Sequence, residues 1–131
     1  MNHGKDGHNL HADLTERILA AAYEVHSSLG PGLLESAYEA CLAHELTTRG
    51  IAFRRQLELP IRFKDEQIDA GYRLDLLVED LVIVELKAVD KLLPIHEAQL
   101  LTYLKLSGRR VGLLLNFNAI QLRDGIKRRV L

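Results

Sequence analysis

A single cysteine, Cys41, is all the sulfhydryl chemistry this 131-residue chain has. One thiol excludes an internal disulfide and any cysteine-built metal cluster within the chain, and it fits a reducing cytoplasm. No stretch approaches the roughly 20 apolar residues a membrane span needs, so no membrane association is expected. The opening residues, MNHGKDGHNLH, lack the apolar core of a signal peptide. Charge excess is missing too: 17 Lys and Arg stand against 18 Asp and Glu, a net charge of −1. A polyanion would therefore not be held by bulk attraction. Any nucleic-acid contact falls to short clusters such as Arg54-Arg55, Arg109-Arg110 and Lys127-Arg128-Arg129. Each of these also reads as ordinary solvated surface. Internal repeats, low-complexity tracts and the glycine-rich fingerprint of a dinucleotide-binding domain are all absent. What remains is the composition of one soluble domain, 47% hydrophobic and 27% charged.

Residues 1–12 read as a flexible segment, and 13–131 as a single domain. His3, His8 and His11 are too irregularly spaced to form more than an adventitious metal site. Asp13, followed by Glu16, has the pattern of an N-cap with its capping-box partner. Leu14, Ile18, Ala21, Ala22, Val25 and Leu29 then recur at helical spacing, predicting a helix over about 13–28. His26 falls near its end, where an imidazole suits the helix dipole. Gly30-Pro31-Gly32 stops it. A second helix is expected from about 33 to 49, with Leu34, Tyr38, Leu42 and Leu46 on its apolar face. At about 100° per residue, Glu35 projects between Leu42 and Leu46, at the edge of that face. It reads either as a first-turn carboxylate favoured by the dipole or as a functional acid.

The period then changes to two. Strands are expected over about 53–63, with Pro60 marking an edge or bulge, over 68–78, and over 82–88, forming an antiparallel meander. A third helix over about 95–107 ends at Gly108, and a short apolar strand follows over 110–117. A strand–helix–strand order implies a right-handed crossover and parallel pairing. A last strand is expected near 126–130.

The stretch Val82–Ala88, V-I-V-E-L-K-A, is the anomaly. It is an apolar β-run that carries Glu85 and Lys87 two residues apart, hence on one face. Buried charges must be paired or metal-bound. The pair reads either as a structural ion pair or as part of a site. Asp75, on the preceding strand, would complete a carboxylate pair able to hold a hard divalent cation. That demands a particular turn. A two-residue turn at Glu79-Asp80 would send Asp75 and Glu85 to opposite faces. A three-residue turn over 79–81, or a bulge, would bring them to the same one.

Asp75, about ten residues, then Glu85-Leu86-Lys87, on consecutive strands of an α-α-β-β-β-α-β chain, resembles the PD-(D/E)xK nuclease superfamily. The following helix reads Gln99-Leu100-Leu101-Thr102-Tyr103, similar to the Q-x-x-x-Y motif of the RecB-like branch. Gly32-Leu33-Leu34-Glu35-Ser36-Ala37-Tyr38 resembles the signature of the small GxxExxY proteins of that superfamily. Leu74 stands where the leading Pro of the motif would be. The resemblance implies an α/β restriction-endonuclease-like core, a mixed sheet with an antiparallel meander and a parallel crossover strand, flanked by helices. It implies a nuclease dependent on Mg²⁺ or Mn²⁺ and acting on DNA. Asp75, Glu85 and the Leu86 carbonyl would ligate the metal, supplemented by Glu35. Lys87 would assist the nucleophile, with Gln99 and Tyr103 positioning substrate or Lys87. His96 reads either as a phosphate contact or as a surface residue of the helix start, and Tyr38 as core. The cysteines of iron–sulfur members are absent, so no such cluster is expected. A nuclease this small calls for a homodimer or partner to complete its groove. The competing reading is a non-catalytic module that binds nucleic acid or protein on the same fold.

Overall fold

The computed structural model describes residues 9–131. In chain order its elements are α1 (Ala12–Leu29), α2 (Glu35–Thr48), β1 (Phe53–Glu58), β2 (Ile61–Phe63), β3 (Glu66–Ile68), β4 (Arg73–Val78), β5 (Val82–Lys87), α3 (Pro94–Ser107), β6 (Val111–Asn116) and β7 (Ile126–Val130). Five strands form one mixed sheet in the order β1-β4-β5-β6-β7, and β2 pairs only with β3. β5 and β6 run parallel across the α3 crossover, and the other neighbours are antiparallel. This is an α/β fold with three helices packed on a mixed sheet.

The period-2 pattern decides which face meets which helix. Leu76, Val78, Val82, Val84 and Leu86 join Val111, Leu113 and Leu115 against Ile18, Ala22 and Val25 of α1 and Tyr38, Leu42 and Leu46 of α2. Leu77, Ile83 and Leu114 point the other way, onto Leu100 and Leu104 of α3. β5 is covered on both faces, which is why it reads as a near-continuous apolar run. At Gly112 of β6 a Cβ would lie 2.7 Å from Leu100 Cδ1, so the missing side chain lets α3 sit close.

Four expectations need correction. The first two predicted strands are each broken in two. At Leu59-Pro60 the missing N–H of proline ends β1, while Asp69–Tyr72 separates β3 from β4. The Leu59 N–H instead donates to the Tyr72 carbonyl at 2.9 Å. Asp13 does not cap α1. The cap position is His11, in the left-handed region (φ 55°) without a side-chain hydrogen bond, and Asp13 lies in the first turn. The second helix begins two residues late, and Leu34 is its 76% exposed cap rather than a core residue. His26 is buried, and its Nε2 donates to the Ala119 carbonyl at 2.8 Å, which joins the end of α1 to the loop after β6. His3 and His8 lie outside the described residues. Among the described residues no helix is long and apolar enough to cross a membrane.

Candidate active site

The turn between β4 and β5 has three residues, Glu79, Asp80 and Leu81. The ladder runs Val78↔Val82, Leu77↔Ile83, Leu76↔Val84. Glu79 and Asp80 take φ of 53° and 61°, and the Leu81 N–H closes on the Val78 carbonyl at 2.9 Å. Carried one step on, that register sets Asp75 opposite Glu85. The backbone ladder stops there and the carboxylates take its place. Glu85 Oε2 accepts the Asp75 N–H at 2.9 Å, and Asp75 Oδ2 accepts the Leu86 N–H at 2.9 Å. The condition set by the sequence, an odd turn, is met.

A strand residue directs its N–H and C=O to the same edge. Because the Leu86 N–H reaches Asp75, the Leu86 carbonyl also points to the β4 side. The Lys87 carbonyl points the other way and accepts the Phe117 N–H at 2.9 Å. Buried Asn116 clamps the chain just beyond: its Nδ2 donates to the Val89 carbonyl (3.0 Å) and its Oδ1 accepts the Val89 N–H (3.1 Å). The end of β5 is therefore held on both sides.

Both carboxyls are pushed toward protonation. Glu85 is 7% exposed, and burial followed by the neighbouring Asp75 charge raises its pKa from 4.5 to about 8. The Asp75 N–H and the Lys87 charge oppose the rise. Asp75 is raised by burial and by the charges of Glu39 and Glu35, against the Leu86 N–H and Lys87. Among the described residues Lys87 forms no ion pair within 4 Å. The structural ion pair between Glu85 and Lys87 is thus not formed, and Lys87 is half-buried with its charge acting on both carboxyls.

Glu35 is exposed in the first turn of α2, while Leu42 and Leu46 are buried. Its charge still acts on both Asp75 and Glu85. The loop that delivers it is fixed by Tyr38. That phenol is fully buried, stacks on Phe117 (4.8 Å, 18°), donates to the Gly30 carbonyl at 2.5 Å and accepts the Leu33 N–H at 3.1 Å. Tyr103 faces the site from α3, and burial and the Glu85 charge raise its pKa. Gln99, one turn earlier, lines with it a cleft of about 210 Å³ that also includes Tyr72 and Ile95. His96 caps α3, its Nδ1 accepting the Leu93 N–H at 3.0 Å.

Sequence reasoning missed Glu39 and Gln56. Glu39 is 7% exposed and accepts Arg55 Nε (3.1 Å) and Gln56 Nε2 (2.8 Å). Gln56 sits across from Asp75 in the β1–β4 register, in a left-handed conformation (φ 51°), with Nε2 3.4 Å from Asp75 Oδ1. Glu39 could have been found as the residue one turn after Glu35. Nothing local in the sequence marks Gln56.

Among the described residues no three His, Cys, Asp or Glu side chains form a ready-made metal cluster. The donor set nonetheless suits a hard cation: two carboxylates that repel one another, and a backbone carbonyl on the same edge of β5. Residues 12–129 match the family model of the PD-(D/E)XK nuclease superfamily. No curated protein and no solved structure matches the chain.

Proposed function

This chain belongs to the PD-(D/E)XK nuclease superfamily, and on that premise we propose that it is a metal-dependent nuclease that hydrolyses phosphodiester bonds in DNA. The observation that carries the reading is the meeting of Asp75 and Glu85 where the β4–β5 ladder ends, with Lys87 beside them and no side chain paired to it. Asp75, Glu85 and the Leu86 carbonyl would hold Mg²⁺ or Mn²⁺, and Glu35 would add a ligand directly or through water. Such an ion, when bound, supplies Lewis-acid activation of water and neutralises charge on the phosphate.

The remaining roles belong to the chain's own groups. Lys87 orients the attacking water and stabilises negative charge on the phosphate oxygens. Glu39, through Gln56, positions the Asp75 carboxylate. Tyr103 and Gln99 position the substrate. The site lies at the surface end of the sheet, and a homodimer would supply a second wall to the groove. A cytoplasmic location suits the single, half-buried Cys41.

The test is cleavage of single-stranded, double-stranded and branched DNA with added Mg²⁺ or Mn²⁺. Wild type cleaves at least one of these, and Glu85→Ala and Lys87→Ala do not. Metal-independent DNA binding without cleavage would turn the assignment to a non-catalytic binding module.

A further inference from the structure

The cleft on α3 has a chemistry different from the carboxylate pair beside it. Its walls are largely apolar: Ile61 from the β2–β3 hairpin, Tyr72 from the lead-in to β4, and Ile95, Thr102 and Tyr103 from α3, with the Gln99 amide at its rim. Tyr72 and Ile95 remain 46% and 59% exposed, a large apolar surface for residues that pack no core. The rings of Tyr72 and Tyr103 meet in a tilted contact, at 57° with centroids 6.2 Å apart. Tyr72 precedes Asp75 by three residues, so extended chain puts their Cα atoms roughly 10 Å apart. On the opposite wall, Tyr103 feels the charges of both Glu85 and Asp75.

We propose that this cleft is a subsite for one unpaired nucleobase next to the scissile phosphate, stacked on Tyr72 and hydrogen-bonded at its edge by Gln99. The proposal deepens the nuclease reading and rests on it for the phosphate's position. Size, shape and chemistry agree. The cleft is smaller than the roughly 300–1,000 Å³ of sites for drug-sized ligands, which suits a single flat ring system. An aromatic face with an adjacent amide is how single-stranded bases are held, whatever their sequence. A base in an intact duplex is stacked between its neighbours and cannot enter without being extruded. The subsite thus makes single-stranded, frayed or bulged DNA the substrate class. The near-neutral chain has little bulk attraction for duplex phosphate, and a stacked base would provide affinity that charge does not.

The chain has no tryptophan and four tyrosines, two of which are in the cleft. Tyrosine emission therefore reports base stacking directly. The full-length protein is titrated, in Ca²⁺ to keep turnover low, with a short single-stranded DNA and with an abasic sugar-phosphate strand of equal length. The base-bearing strand should quench emission and bind about 5- to 150-fold more tightly. Tyr72→Ala should abolish that advantage, while Tyr72→Phe keeps it. Ile95→Glu, whose carboxylate suits a first helical turn, should also remove it. Circular dichroism of each variant establishes that it is folded. Equal binding of the two strands, or an advantage that survives both Tyr72→Ala and Ile95→Glu, overturns the subsite. Mn²⁺-dependent cleavage with no effect of an abasic residue at any position also overturns it, while leaving the nuclease reading standing. Base-dependent binding without cleavage supports the subsite and defeats the nuclease reading.

Discussion

Replacing Glu85 by glutamine (E85Q) should make the metal-free protein more stable at alkaline pH, and the size of the gain follows from the site. Glu85 has its proton dissociation raised from 4.5 to about 8, by burial first and by Asp75 second. Between those values the folded protein holds a proton that the unfolded chain has released. Stability contributed by the protonated carboxyl is therefore fully present below about pH 4.5 and is lost as pH rises through about 8. At 1.36 kcal/mol per unit, the loss reaches roughly 3 kcal/mol by pH 7 and approaches roughly 5 kcal/mol above pH 8. Asp75 is shifted in the same direction and adds to the slope. The amide introduced by E85Q cannot ionise, and its carbonyl can still accept the Asp75 N–H that Glu85 accepts at 2.9 Å. Any fixed packing difference drops out when the two proteins are compared across pH. The assay is urea unfolding in EDTA at pH 5, 7 and 8.5, with wild type and E85Q side by side. The two stabilities should diverge in favour of E85Q as pH rises. Adding Mn²⁺ should restore wild type at pH 8.5 and leave E85Q unchanged. Parallel curves from pH 5 to 8.5 would refute the account of a buried, like-charged carboxyl pair.

Three other outcomes test neighbouring parts of the site. Lys87→Ala should lower cleavage about 100-fold or more, measured as single-turnover rate. It should also steepen the alkaline destabilisation, because the charge it removes opposes the rise at Glu85. Tyr38→Phe should cost about 1–3 kcal/mol in urea unfolding, by freeing the Gly30 carbonyl and Leu33 N–H that its hydroxyl joins. Gly112→Ala should destabilise by about 1–3 kcal/mol and, by pushing on Leu100, shift α3. Weaker single-strand binding measured by tyrosine emission would register that shift.

The fold class and the register of β4 on β5 were legible in the sequence, and the interruptions of the strands were not. The alternation that places Glu85 and Lys87 on one face is local to six residues, and only the turn length was needed to add Asp75. Interruptions were harder. Pro60 announced a disturbance, but whether it bulges a strand or ends it depends on what lies across from it, here the Tyr72 carbonyl. Leu34 has the apolar character of a core residue and is exposed, since helical periodicity does not say where the covering layer stops. His96 read from sequence only as sharing a face with Gln99, and its bond to a backbone N–H three residues earlier depends on how the chain enters the helix. Gln56 was invisible because its importance comes from register with β4 and a left-handed backbone, neither of which is encoded in its own neighbourhood.

The turn over 79–81 imposes a rule on how this chain can change. Its residues are exposed, and among the described residues its side-chain contacts are Glu79 to the Ala52 N–H and Asp80 to Arg54 and Arg109. Substitutions there should be tolerated where the new residue accepts the left-handed backbone of Glu79 and Asp80. Any loop that closes on Val78 opposite Val82 keeps Asp75 opposite Glu85, whereas a pairing slipped by one residue exchanges inside for outside from Val82 onward. The constraint falls on which residues meet, and not on how many lie between them.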